Sequence, residues 1–145
     1  MKSIAIGVFA GLGATLVLSA LMMLKSMMGL LPELDIITML AAIAAGGVVL
    51  GWILHFAIGA FWGAVFSVVY DFLPGRNPVL QGIVFGLIAW LLMMVLIMPM
   101  AGNGIFGLAL GIMAPVMTGL LHIIFGAVMG WIFQRLAISQ TAATQ

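Results

Sequence analysis

Three long stretches of this chain, residues 3–24, 36–70 and 77–134, contain no Asp, Glu, Lys or Arg. About 18 uncharged, mainly apolar residues license a membrane-spanning helix. Some 20 residues at about 1.5 Å rise cross the roughly 30 Å hydrocarbon core. The first stretch holds one crossing, the second one crossing with residues to spare, and the third two crossings and a remainder. Four spans fit with least strain. Of 145 residues only 5% are charged and 66% are apolar, against about 25% charged in a soluble domain. A folded monomer therefore lacks the polar surface that water requires. A β-barrel would need alternating polar and apolar residues. The apolar runs here are unbroken, so helices are the remaining way to satisfy the backbone in lipid.

Breakers divide the chain. Span one covers about 4–24 and is read as a retained helix, because it exceeds a signal-peptide core and no small-residue cleavage site follows it. A polar turn follows with Lys25, Ser26, Pro32, Glu33 and Asp35. Residues 36–49 are apolar but interrupted by Gly46-Gly47, too short to cross alone, and are expected as a re-entrant or interfacial half-segment. Span two runs about 51–70. Asp71 to Pro78 is a turn. Span three runs about 79–98, and Pro99, Gly102, Asn103 and Gly104 open a second half-segment ending near Pro115. Span four covers about 118–133. The transmembrane domain ends near 136, and the small, polar tail 137–145 is expected to be disordered. Lys2, Arg76 and Arg135 fall on one side and Lys25 on the other, which predicts cytoplasmic termini. Tyr70, Trp131 and Trp52 sit where interfacial aromatic belts are expected.

The chain repeats itself. Leu54-His55 is followed by Gly59, Ala60, Gly63 and Phe66, and Leu121-His122 by Gly126, Ala127, Gly130 and Phe133, with identical spacing. These are the only histidines. More loosely, Gly11 matches Gly82, Met22-Met23 match Met93-Met94, and Met27 matches Met98. Two copies of span, half-segment and span, about 4–73 and 79–136, imply a parallel repeat about an axis normal to the membrane. His, Gly and Gly at i, i+4 and i+8 share one helix face. Small residues at i and i+4 allow close backbone approach, so Gly59, Gly63, Gly126 and Gly130 are read as helix-packing positions.

An ionisable side chain inside a span is a candidate functional group. His55 and His122, expected at equal depth near one axis, would suit axial ligation of a b-type heme; the plainer reading is a hydrogen bond to a neighbouring helix. Glu33 and Asp35 are candidates to join both histidines in an outer-face divalent metal site, with Asp35 alternatively capping the half-segment and pairing with Lys25. Met23, Met27, Met94, Met98 and Met100 offer soft thioethers for copper(I), and equally ordinary packing. The absence of cysteine excludes a disulfide framework or thiolate site. The net charge of +1 does not suit a nucleic-acid partner. No nucleophile–base pair or phosphate-binding loop stands out, so an enzyme is not expected.

The stretches 25–35 (KSMMGLLPELD), Gly51-Trp52 with His55-Phe56, Trp90 to Met94, Met98 to Gly107 and Leu121-His122 together resemble a family of small bacterial four-span inner-membrane proteins of unknown function, loosely YagU-like. The resemblance implies a bacterial cytoplasmic membrane and no particular activity. Three function classes follow: a packing protein acting as a homo-oligomer or accessory subunit of a membrane complex, a heme or metal carrier through His55 and His122, and a small transporter or channel.

Overall fold

The structure, a computed structural model, describes residues 4–143. It is all-helical among the described residues, and four helical stretches are long and apolar enough to cross a membrane: Ile4–Met27, Val48–Phe72, Pro78–Met100 and Met113–Ser139. The expected number of spans holds. Their boundaries are wider than breakers alone suggested, because apolar helices extend until a capping geometry stops them.

α1 (Ile4–Met27) stops at Gly29, which takes a left-handed conformation (φ 67°). α2 (Ile36–Ile43) begins at Asp35, whose carboxylate accepts from the Ile37 and Thr38 amides, as an N-cap should. It ends in a Schellman closure: Ala45 adopts φ 51°, and the amides of Ala45 and Gly46 return to the carbonyls of Ala42 and Ala41. The expected half-segment 36–49 is thus split, and Val48 already belongs to α3 (Val48–Val69), which continues through a 3-10 turn at Tyr70–Phe72. α4 (Pro78–Leu92) is capped by Asn77, with Pro78 in its first turn. It widens into a π-helical turn, Met93–Ile97, and closes with α5 (Met98–Met100). Pro99 lacks an N–H, so the Val95 carbonyl loses its i+4 donor; the wider turn, with Met98 N–H reaching Met93 O, precedes that gap.

The second half-segment is not a helix of membrane length. It is a 3-10 stretch, Ile105–Leu110, bracketed by Gly104 and Gly111 at positive φ and holding Phe106 at φ 58°. α6 (Met113–Ala143) begins before the expected span and runs past its expected end, so the tail is helical through 143; residues 144 and 145 lie outside the described residues, as does Lys2.

The helices associate as two close pairs, α1 with α3 and α4 with α6, joined through α1 and α6. Backbones touch inside each pair. A Cβ on Gly11 would strike the Gly59 carbonyl, and one on Gly63 the Gly7 carbonyl. A Cβ on Gly82 would strike the Gly126 carbonyl, and one on Gly130 the Pro78 carbonyl. The four glycines read as packing positions are therefore used inside the chain. In lipid there is no hydrophobic drive between helices, and such contact-rich crossings are what hold a bundle.

Two apolar clusters fill the bundle ends. One gathers Ile6, Ala10, Phe66, Phe85, Phe125, Met129 and Phe133; the other gathers Leu34, Met39, Met94 and Met98. Tyr70 belongs to the first, 7% exposed and 4.9 Å from the Phe133 ring, so it is a core residue rather than part of an interfacial belt. Trp131 is half exposed with Arg135 5.6 Å over its ring, as a belt position should be.

Gly63→Ala and Gly126→Ala should each destabilise the bundle by about 1–3 kcal/mol, because helix backbones must separate to admit the methyl group. Gly119→Ala, whose Cβ would meet Trp90 at an ordinary 3.5 Å, should be neutral or stabilise by up to about 1 kcal/mol. Denaturant unfolding in mixed micelles measures all three.

Candidate functional site: an intramembrane cavity

Between the two packed ends lies a cavity of about 400 Å³. Its floor is aromatic, formed by Trp62 and Phe125; beneath it Trp62 packs edge-on to Phe85 (5.6 Å between centroids) and Phe85 to Phe66 (5.4 Å), and these rings bridge α3 and α4. Its roof is the turn before α2 with α2 itself, through Leu34, Ile36 and Leu40. Its walls come from Thr15, Leu18 and Met22 of α1, His55, Ile58 and Gly59 of α3, Ala89 and Leu92 of α4, and Thr118, Leu121 and His122 of α6. Ile58, Phe61, Leu92 and Leu96 line it yet are also exposed, so the opening faces sideways between α3 and α4. Four lining positions, Met93, Leu96, Ile97 and Met98, belong to the π turn or follow it. A π turn rotates the side chains beyond it relative to an α-helix and is often found at functional sites.

Both histidines reach this one cavity. His122 Nδ1 lies 2.8 Å from the Thr118 carbonyl. A carbonyl only accepts, so Nδ1 carries the hydrogen and Nε2 the lone pair. His55 Nε2 lies 3.1 Å from Ser19 Oγ, and Ser19 gives its own hydrogen to the Thr15 carbonyl at 2.8 Å. The hydroxyl has one hydrogen, so His55 Nε2 must donate and Nδ1 holds the lone pair. The rings are thus tied by different nitrogens. His122 has the arrangement usual for a metal-ligating histidine, N–H on a carbonyl and Nε2 open; His55 would have to ligate through Nδ1.

Ser19 is the residue that spacing did not reveal. It sits on α1, one turn beyond Thr15, and only the pairing of α1 with α3 brings it to His55. A Ser–His contact invites a catalytic reading. Two facts oppose it: Ser19 is buried and does not line the cavity, and its hydrogen is committed to a helix carbonyl. Thr118 anchors the opposite wall. It donates to the Ala114 carbonyl (2.7 Å) and accepts from Trp90 Nε1 (3.1 Å).

The acidic residues stand apart. Asp35 spends its carboxylate on the α2 cap and on Thr38 Oγ1 (2.7 Å), and Glu33 is exposed. Among the described residues no three His, Asp or Glu side chains converge to hold a metal ion. His55, His122, Glu33 and Asp35 therefore do not form one cluster: the N-cap geometry holds Asp35 on its own helix. Lys25 is buried at the cavity's upper end, where its ammonium donates to the carbonyls of Leu31 (2.9 Å) and Leu34 (2.7 Å), tying the roof to α1. The methionine pairs diverge, since Met23 and Met27 are exposed while Met94 and Met98 are fully buried.

No curated protein and no solved structure matches this chain. A family of unknown function, DUF6789, matches it over residues 1–144. With four helices long and apolar enough to cross a membrane and a side-opening cavity between two glycine-crossed helix pairs, this chain belongs to the DUF6789 family.

Proposed function

We propose that this protein binds a small apolar molecule inside the bilayer, taking it from the lipid through the opening between α3 and α4. The single observation that carries this reading is the roughly 400 Å³ cavity, of the size and apolar character of small-molecule sites. It is framed by two well-packed clusters and holds the polar side chains of mid-span. Packing in proteins is otherwise dense, so a space of this size at the level of the two histidines is the feature the fold is arranged around. The protein acts by binding or handing on its ligand rather than by chemistry.

Two further features support a transporter-like lineage. The crossings Gly11–Gly59 and Gly82–Gly126 are at matching positions in the two helix pairs, which supports a parallel internal repeat with the cavity at its interface. The first half-segment roofs that cavity. The glycines Gly59, Gly63, Gly126 and Gly130 are occupied within the chain, so a homo-oligomer or accessory-subunit reading rests on the exposed apolar helix faces and the scarcity of polar groups rather than on a glycine stripe. The family resemblance and the Lys/Arg distribution support a bacterial cytoplasmic membrane with both termini inside.

The alternative heme reading draws on His122, whose Nε2 lone pair is oriented as a ligand's would be. On the binding account, protein purified from heme-replete cells is colourless. A Soret band accompanied by α and β bands that sharpen on reduction, all lost in His122→Ala, would replace the proposal with a b-type cytochrome.

Ala89 is buried and lines the cavity. Protein in nanodiscs should bind N-phenylnaphthylamine saturably at one site, above the partition into empty nanodiscs. Ala89→Phe should abolish that saturable part while still unfolding cooperatively. Binding no different from empty nanodiscs would refute the proposal. Because the chain has no cysteine, single cysteines report orientation: Gly29→Cys should react with an impermeant maleimide on intact cells, and Ser139→Cys only after permeabilisation.

A further inference from the structure

Resting on the cavity-binding reading above, we infer that the ligand is an apolar hydroxyl compound, an alkylphenol or comparable lipophilic alcohol, recognised as a hydrogen-bond donor by His55 and His122. The hydroxyl and imidazole hydrogens of the polar wall are all committed to the protein. The Thr15 hydroxyl gives its hydrogen to the Gly11 carbonyl at 2.8 Å. The Thr118 hydroxyl gives its hydrogen to the Ala114 carbonyl at 2.7 Å. The His122 N–H is spent on the Thr118 carbonyl, and the His55 N–H on Ser19. What the two imidazoles and two threonines leave at this depth is oxygen and nitrogen lone pairs; the other N–H groups of the lining stand away from them, the Trp62 indole seven residues beyond His55 on α3, about 10 Å along the helix axis, and the Lys25 ammonium at the opposite end. Among the described residues, no sealed-off side-chain nitrogen or oxygen lacks a hydrogen bond. The second nitrogen of each imidazole, with no protein partner, is therefore reached from open space, and the cavity is the open space both rings line.

The two imidazoles, which offer only acceptors to the cavity, select by complementarity. A carbonyl or ether oxygen placed there would set lone pair against lone pair, whereas a hydroxyl supplies the missing hydrogen. A site built to hydrogen-bond a ligand hydroxyl discriminates strongly against the analogue that lacks it, since its own polar group is then left unpaired. The remaining surface is apolar, with Trp62, Phe61 and Phe125 presenting rings, which suits an arene body. Lys25 is the one cation on the lining, and its place is elsewhere. It lies six residues beyond Ser19 on α1, about 9 Å along the helix axis, and its ammonium already donates to two carbonyls.

The test compares matched probes on the wild-type protein in nanodiscs by isothermal titration calorimetry: 4-decylphenol, its methyl ether 4-decylanisole, and decanoate. The phenol should bind roughly tenfold or more tightly than the ether, and decanoate should bind more weakly than the phenol. His122→Leu, which removes a lone pair and keeps bulk, should reduce the phenol-to-ether ratio toward one while leaving ether affinity within about twofold. Equal binding of phenol and ether by the wild type would overturn the inference and leave the apolar-ligand reading standing. Tighter binding of decanoate would also overturn it and shift recognition to Lys25. No saturable binding of any probe would overturn both.

Discussion

The architecture depends on backbone contact between helices. At Gly11–Gly59 and Gly82–Gly126, carbonyl oxygens occupy the space where a side chain would otherwise stand. In water, burial of apolar surface would drive these helices together. In lipid it does not, and close van der Waals approach takes its place. Each crossing brings one helix pair close enough to act as a unit. The two units then meet through α1 and α6 and through the aromatic rings of Trp62, Phe66 and Phe85. Where the wall residues are small, at Thr15 of one pair and Ala89 and Thr118 of the other, the space between the pairs stays open.

The polar groups follow from the same constraint. Hydroxyls inside an apolar helix have no water, so Thr15, Ser19 and Thr118 bond back to carbonyls of the preceding turn. Their hydrogens are thereby removed from the cavity, and the imidazoles that lean on Ser19 and Thr118 turn their lone pairs elsewhere. The acceptor-rich wall is a consequence of burying hydroxyls on helices around an open space. Lys25 obeys the same rule at the upper end: two carbonyls of the roof accept two of its three hydrogens, while Asp35, which charge alone would have paired with it, is engaged with the amides of α2.

Much of the fold was readable from residue order because its causes are local or periodic. Uncharged length marks a span, Asp35 before an apolar run marks a cap, and the His-Gly-Gly spacing marks a packing stripe. What spacing cannot carry is the partner across the stripe. Ser19 is unremarkable on α1, and only the register of α1 on α3 sets it against His55. The metal cluster of His55, His122, Glu33 and Asp35 failed for a related reason: side chains that share a membrane face need not share a point, and capping fixed Asp35 first. Pro99 signalled a break, but its effect, a π turn that carries on toward Met100, depends on which carbonyl lost its donor. The length of α6 was missed because small polar residues such as Ser139 weaken an apolar signal without stopping a helix.

The central claim is that the cavity holds one kind of molecule. Native mass spectrometry of the protein released from its own membranes tests this most directly. The account predicts one predominant small-molecule adduct at unit stoichiometry, surviving after bound phospholipids are stripped. A bare protein mass, or only the graded series of phospholipid adducts that any four-span protein carries, would contradict it.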